Sequence, residues 1–235
     1  MVRSAAMARI TPRAFLAVSA LVAELTLSPA HGHAAEGPAE TWFAEAITQS
    51  DLGIESSYLW SKGRKLRADS VIAGTPVVTI VNGTTYYAID GRSLVGTAIE
   101  RAPKALANDA KGGRPFLNDG ERMIAMGGEK ISSERIAGRP CDVYRLTDSD
   151  GKKTIWMTQD SLHLPVKIEL FGRAAGQTST TIINWSRGFD VPDAFFEPDP
   201  RVTLERISYE EYLNRARERL PSAVPVLYGD LLHGH

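Results

Sequence analysis

The stretch from Glu134 to Phe171 limits the fold more than any other part of this chain. Two β-rich runs, Cys141-Asp-Val-Tyr-Arg-Leu-Thr147 and Lys152-Lys-Thr-Ile-Trp-Met-Thr158, flank Asp148-Ser149-Asp150-Gly151. Asp-Gly between such runs is a strong short-range hairpin signal. With Asp150-Gly151 as the turn centre, Leu146 faces Ile155 and Tyr144 faces Met157. Side chains alternate across a strand, so these four share one face, and Val143, Arg145 and Trp156 share the other. After Leu164-Pro165, the residues Val166, Ile168 and Leu170 alternate with Lys167 and Glu169 and carry the sheet on. An antiparallel meander is expected.

The same pattern recurs upstream. Ile54 to Ser61 alternates as a strand, Lys62-Gly63 turns it, and Lys65–Asp69 is a more polar second strand. Pro76 to Val81 is a third strand, followed by Asn82-Gly83, a type I′ turn signal. Thr84 to Asp90 returns, with Tyr86 and Tyr87 on opposite faces, and Asp90-Gly91-Arg92-Ser93 turns again. Downstream, Thr178 to Ser186 reads as the last long strand, with Thr181, Ile183 and Trp185 on one face. Several strands are apolar on both sides: Val77/Val78, Tyr86/Tyr87, Ile155/Trp156 and Ile182/Ile183. An antiparallel sheet with one wet face alternates cleanly, so both faces of this one are expected to be covered.

Helices are expected in four places. Thr41 to Asp51 carries a capping Thr41 and apolar Trp42, Phe43, Ala46 and Ile47 near helical spacing. From about Ala98 to Gly128 the strand pattern stops. Pro103 to Ala110 is Ala-rich, and Asn118-Asp119 can cap a short helix through Met126, with Gly127-Gly128 after it. Ile207 to Leu220 sets Ile207, Tyr212, Leu213 and Leu220 against Glu210, Glu211, Arg215, Arg217 and Glu218, a solvated face with i, i+4 pairs. Phe195-Phe196 sits in a Pro-rich loop that plugs an end of the barrel. The tail, residues 221–235, reads as frayed and polar.

The first 34 residues read as an export signal. Arg3, Arg9 and Arg13 form a basic start, Phe15 to Leu27 is a short apolar run interrupted by Glu24, and Gly32-His33-Ala34 offers small residues for cleavage. The remainder, roughly 200 residues, suits one domain, residues 35–220. The whole chain carries a formal net charge of −1. Without the Arg-rich start it is more acidic still, a poor partner for nucleic acid. A periplasmic monomer is expected.

Catalytic signatures are missing. The chain has no Gly-x-Ser-x-Gly, His-Glu-x-x-His, P-loop or Gly-x-Gly-x-x-Gly phrase. The one cysteine, Cys141, reads as a small buried apolar residue. His163 is the only plausible histidine near it, in an exposed turn. His233 and His235 alone make at most a weak metal site. No enzyme activity, metal or cofactor is expected.

The phrases Gly138-Arg-Pro-Cys-Asp-Val-Tyr-Arg-Leu146, Thr154-Ile-Trp-Met157 and Leu164-Pro-Val-Lys-Ile-Glu169, with the closing Asp190-Val-Pro-Asp-Ala-Phe-Phe-Glu-Pro198, resemble the periplasmic lipoprotein-carrier superfamily, the LolA-like fold. The likeness covers about Tyr58 to Pro198. It implies an α+β protein, a half-open antiparallel β-barrel covered by short helices, with the excursion at residues 100–126 standing where the family places lid helices. A plain helical plug completing the core is the other reading of that excursion. For the family's functional arginine, Arg67 is the candidate position.

Two functions follow as expectations. The first is carriage of a lipid, an acyl chain or another hydrophobic ligand, lined by Tyr58, Trp60, Ile80, Tyr87, Met123, Met126, Tyr144, Ile155, Met157, Ile168 and Trp185. The second is a sensor or interaction protein on the same fold that acts through a protein partner, such as one in the inner or outer membrane. A deep apolar cavity favours the first; a filled barrel with an exposed apolar patch favours the second.

Overall fold

In the computed structural model, the described residues are 40–51, 53–109, 118–149, 151–173, 177–218 and 224–234. The export-signal expectation falls on residues outside this set. The strands are β1 (Thr41–Ser50), β2 (Gly53–Lys62), β3 (Lys65–Ile72), β4 (Thr75–Asn82), β5 (Thr85–Asp90), β6 (Val95–Glu100), β7 (Glu129–Ile136), β8 (Arg139–Thr147), β9 (Gly151–Thr158), β10 (Pro165–Gly172), β11 (Gln177–Arg187) and β12 (Thr203–Ile207). Four short helices accompany them: α1 (Pro103–Asp109), α2 (Asp119–Ala125), α3 (Tyr209–Arg217) and α4 (Gly229–His233).

The protein is mainly β, a single open sheet in the order β12-β6-β5-β4-β3-β2-β1-β11-β10-β9-β8-β7. Two meanders, β1–β6 and β7–β11, join where β1 pairs with β11, Ala44 opposite Trp185 and Ala46 opposite Ile183. Every neighbour is antiparallel except β12, which runs parallel to β6. This edge strand was not expected. Its sequence, Thr-Leu-Glu-Arg-Ile, carries little apolar pattern, and its place is set by pairing with β6.

The sheet wraps an inner apolar cluster. Ala44, Leu59, Leu66, Tyr86, Ile99, Ile155, Met157, Ile168 and Ile183 meet there with Met123 of α2. A second, smaller cluster on the outer face joins Cys141, Val143, Trp156 and Val166. Cys141 is buried as expected, and burial pushes its thiol up.

Four expectations are corrected. Thr41–Asp51 is not a helix but the central strand β1. The spacing that suggested a helix, Trp42/Ala46 and Phe43/Ile47, is four residues. Four is even, so a strand apolar on both faces satisfies it equally. Aromatic and β-branched residues, paired on both sides by β2 and β11, decide for the strand.

The β8–β9 register is shifted by two residues from the expected one. Tyr144 lies opposite Ile155 and Leu146 opposite Lys153. The turn is closed one position earlier than expected, by Asp148 against Gly151: the Asp148 N–H donates to the Gly151 carbonyl at 3.0 Å and its Oδ1 accepts from the Gly151 N–H at 3.0 Å. An even shift preserves the faces, so Tyr144, Leu146, Ile155 and Met157 still meet in one cluster.

The Asn82-Gly83 signal does mark a hairpin, but Asn82 pairs with Thr85, so the connection is Gly83-Thr84, and only Gly83 has positive φ (57°). That is not type I′. The left-handed pairs stand at Ala73-Gly74 and Ala137-Gly138.

The fourth correction concerns the tail. Val224, Leu231 and Leu232 are buried in the inner cluster, with Val226, Leu227 and Tyr228 packed against it. Far from fraying, the described part of the tail fills the inner face. Its polar ends are answered locally: the Ala102 N–H donates to the Leu232 carbonyl at 3.0 Å, and Asn108 Nδ2 to the Gly234 carbonyl at 3.1 Å.

Candidate functional site

Six of the eleven expected ligand-lining residues come together. Met123, Tyr144, Ile155, Met157, Ile168 and Trp185 all belong to the inner cluster or pack against it. Strand register explains this: Ile168 lies opposite Ile155, and Ile155 opposite Tyr144. Trp185 meets Trp42 edge-on, ring centroids 6.1 Å apart, and its Nε1 donates to the Pro165 carbonyl at 2.6 Å. Above this half of the sheet lies α2. Gly120 lets the helix sit against the Met157 side chain, where a Cβ would overlap its sulfur.

The other five do not join them. Leu59 points inward, so its neighbours Tyr58 and Trp60 point outward by alternation. Trp60 is aligned with Arg67, Arg67 with Ile80 and Ile80 with Tyr87, which puts Ile80 and Tyr87 on the outer face too. Met126 caps the end of α2 and is 62 % exposed. With both faces apolar, sequence parity could not say which side of β2, β4 and β5 turns inward. Arg67 also lies outside, its Nε 2.9 Å from Asp69 and its guanidinium over the Phe195 ring at 4.7 Å, so it does not face the inner cluster.

The outward set forms a surface of its own. Phe43 lies 5.2 Å from Trp60 and 6.3 Å from Tyr58, ring centroid to centroid. Phe189 meets Phe43 edge-on at 6.2 Å, and Phe195 meets Trp60 at 5.2 Å. Tyr58, Phe189 and Ile182 are exposed. The loop bearing Phe195 is held by Lys62 and Lys65, both ion-paired to Asp193. Phe196 is fully buried, its ring 5.5 Å from that of Phe195.

The inner face of β2–β5 carries a feature that the sequence reading missed. Ser57, Ser70, Thr79 and Tyr86 point inward and are buried. Ser57 and Ser70 hydroxyls lie 2.7 Å apart, the Tyr228 phenol lies 3.4 Å from Ser70, and the Tyr86 phenol donates to the Leu227 carbonyl. Burial pushes both phenols above the ordinary tyrosine value, so both are neutral hydrogen-bonding groups. The apolar pairs Val224/Val226 and Leu231/Leu232 were the available signal that the tail packs inside.

No protein-family model matches this chain, and no curated protein matches it in sequence. Among solved structures, an uncharacterized conserved protein from Thermus thermophilus superposes with a TM-score of 0.51 at 7 % identity, over 72 % of this chain and 91 % of that one. The Mycobacterium tuberculosis lipoprotein LppX superposes with a TM-score of 0.41 at 13 % identity, over 66 % of this chain and 90 % of that one. A DUF1329 family protein from Desulfovibrio piger gives 0.34 at 12 %, over 68 % and 90 %. At such identities the likeness is one of fold, and the Thermus protein carries it.

Proposed function

We propose that this chain is an exported, non-catalytic carrier for a hydrophobic molecule, a lipid or acyl chain held on the inner face of the sheet. One observation carries the reading. Among the described residues, the apolar inner face of the sheet is covered by α2 and by the tail segment, neither of which pairs with a strand. Separating these covers gives up side-chain contacts and a few hydrogen bonds, such as that of the Ala102 N–H to the Leu232 carbonyl, and leaves the strand ladder intact. A ligand chain replaces those contacts, at about 0.8 kcal/mol per buried CH₂. The carrier-like phrases in the sequence and the Arg-rich start support the same reading and a periplasmic location. Native mass spectrometry of protein purified from periplasm, followed by lipid extraction, is the test. A stoichiometric acyl-bearing adduct is expected. Protein that carries none, and that takes up no acyl probe after delipidation, ends the carriage reading.

A second reading rests on the outer aromatic surface. Tyr58 and Phe189 are exposed beside Phe43 and Trp60, a patch that suits a protein partner. Under that reading Tyr58→Asp abolishes capture of the partner and leaves lipid content unchanged.

A further inference from the structure

We propose that the inner face of β2–β5 is a headgroup subsite for an uncharged, oxygen-rich amphiphile of the acylglycerol type, and that Val224–Tyr228 occupies it as an internal stand-in. This inference rests on the carriage reading and specifies its ligand.

The residues of the floor are unusual for a core. Ser57 is aligned with Ser70, Ala68 with Thr79 and Val81 with Tyr86, so the hydroxyls stand among Leu59, Leu66, Ala68 and Ala88 on one face. A buried hydroxyl without a partner is destabilising. An apolar core would place alanine or valine at these positions. The tail satisfies the floor only in part. Tyr228 reaches Ser70 at the long end of hydrogen-bond range, and Tyr86 is engaged by a main-chain carbonyl. Thr79 Oγ1, on a residue with 0 % exposure, has no partner of hydrogen-bond geometry, although the neighbouring Tyr86 phenol feels it. A head with several ester and hydroxyl oxygens offers the acceptors and donors that this floor lacks.

Charge narrows the class. The floor residues are neutral. The nearest carboxylate, Glu55, accepts from the Ser57 hydroxyl at 3.2 Å and opposes an anionic head. Arg101, the buried cation, is already engaged by Asp109 and by the Gly83 and Leu231 carbonyls. A fatty-acid carboxylate therefore finds no counter-charge here, whereas an uncharged head meets hydroxyls. The acyl chain continues across the seam to Trp185, Ile168, Ile155 and Met157. The stand-in has the same two-part character: Val224, Val226 and Leu227 are its apolar part, and the Leu227 carbonyl and Tyr228 phenol are its polar part.

The test uses the mature, delipidated chain and two probes, a monoacylglycerol with a brominated acyl chain and the matching brominated fatty acid. Quenching of tryptophan emission reads binding through Trp42 and Trp185. The monoacylglycerol is expected to bind about tenfold tighter than the fatty acid, and the Ser57→Ala/Ser70→Ala pair is expected to erase most of that ratio. Tyr228→Ala is expected to tighten the monoacylglycerol severalfold, and Tyr228→Phe, which keeps the ring and its packing, to tighten it less. Equal affinities for both probes in the wild type and the serine variant overturn the headgroup subsite while leaving carriage intact. Unchanged affinity in both Tyr228 variants overturns the stand-in. Quenching by neither probe, in wild type or in Tyr228→Ala, overturns carriage and this inference together.

Discussion

Arg101 Nε donates to the Leu231 carbonyl at 2.7 Å, and through that bond the residue after β6 holds the main chain of the tail. The same guanidinium grips Asp109 with two bonds, at 2.6 and 2.9 Å, and the Gly83 carbonyl at 2.9 Å. One buried side chain thus ties a hairpin, α1 and the tail together. Arg101→Leu leaves a carboxylate and two carbonyls without their donor. The expected loss is about 3 kcal/mol or more, the range for removing one partner of a buried pair. Arg101→Lys restores the charge but not the fork, and is expected to recover only part. Urea unfolding measures both, and an unchanged midpoint in Arg101→Leu shows that the tail is anchored elsewhere.

Much of this fold was legible from alternation, and the reasons it failed in places are physical. The β8–β9 faces came out correctly although the register was off by two, because parity survives an even shift. The outward placement of Tyr58, Trp60, Ile80 and Tyr87 was not legible. Each stands in a strand with apolar residues on both sides, and only the packing of Leu59, Leu66 and Val81 against the tail decides which side is inside. Beyond Ile207, where Ser208 caps α3 by accepting from the Glu211 N–H at 3.1 Å, local signals read well. The packed tail did not, because its burial depends on partners more than a hundred residues away, such as Tyr86 and Arg101.

Gly151 opens β9 with φ 156°, and a Cβ there would overlap the Phe171 carbonyl of β10. The neighbour is backbone and has little room to yield. Gly151→Ala is expected to cost roughly 1–3 kcal/mol, and Gly151→Val more, through distortion of the β9–β10 edge. Thermal unfolding of both variants is the measurement, and a melting temperature equal to the wild type in each case contradicts the close approach.

Acid should loosen the β7 edge first. Asp142 accepts from Lys130 at 2.8 Å, from Gln159 at 2.7 Å and from Ser133 at 2.8 Å. These bonds, led by that of Lys130, hold its carboxyl at about 2. A depressed carboxyl contributes stability that is full above its unfolded value, about 4, and that fades as pH falls toward 2. Amide protection of β7 is expected to drop across that window before that of β9. In Asp142→Asn the drop should be absent from the window. Identical acid profiles in the two proteins would falsify the assignment.

α2 is the cover whose removal can be separated from unfolding. It spans only seven residues, too few to be stable alone, so packing holds it in place. That packing includes two close contacts. Met123 is fully buried in the inner cluster, and Gly120 meets Met157 where a Cβ would lie 2.7 Å from the methyl Cε. Gly120→Ala therefore pushes α2 away from β9 without breaking a strand pair. Because Met157 is flexible, the helix can ride up rather than melt the core. Hydrogen exchange is expected to show residues 119–125 losing protection in Gly120→Ala while Ile155, Ile168 and Leu170 keep theirs. Under the carriage reading, acyl ligand returns part of that protection, since a chain under the helix supplies the contacts that the alanine displaces. Met123→Ala, by contrast, removes core volume and is expected to cost about 2–5 kcal/mol throughout the domain. Equal protection of α2 in wild type and Gly120→Ala, with or without ligand, makes the helix a fixed part of the core and moves the outer aromatic surface to first place as the site of function.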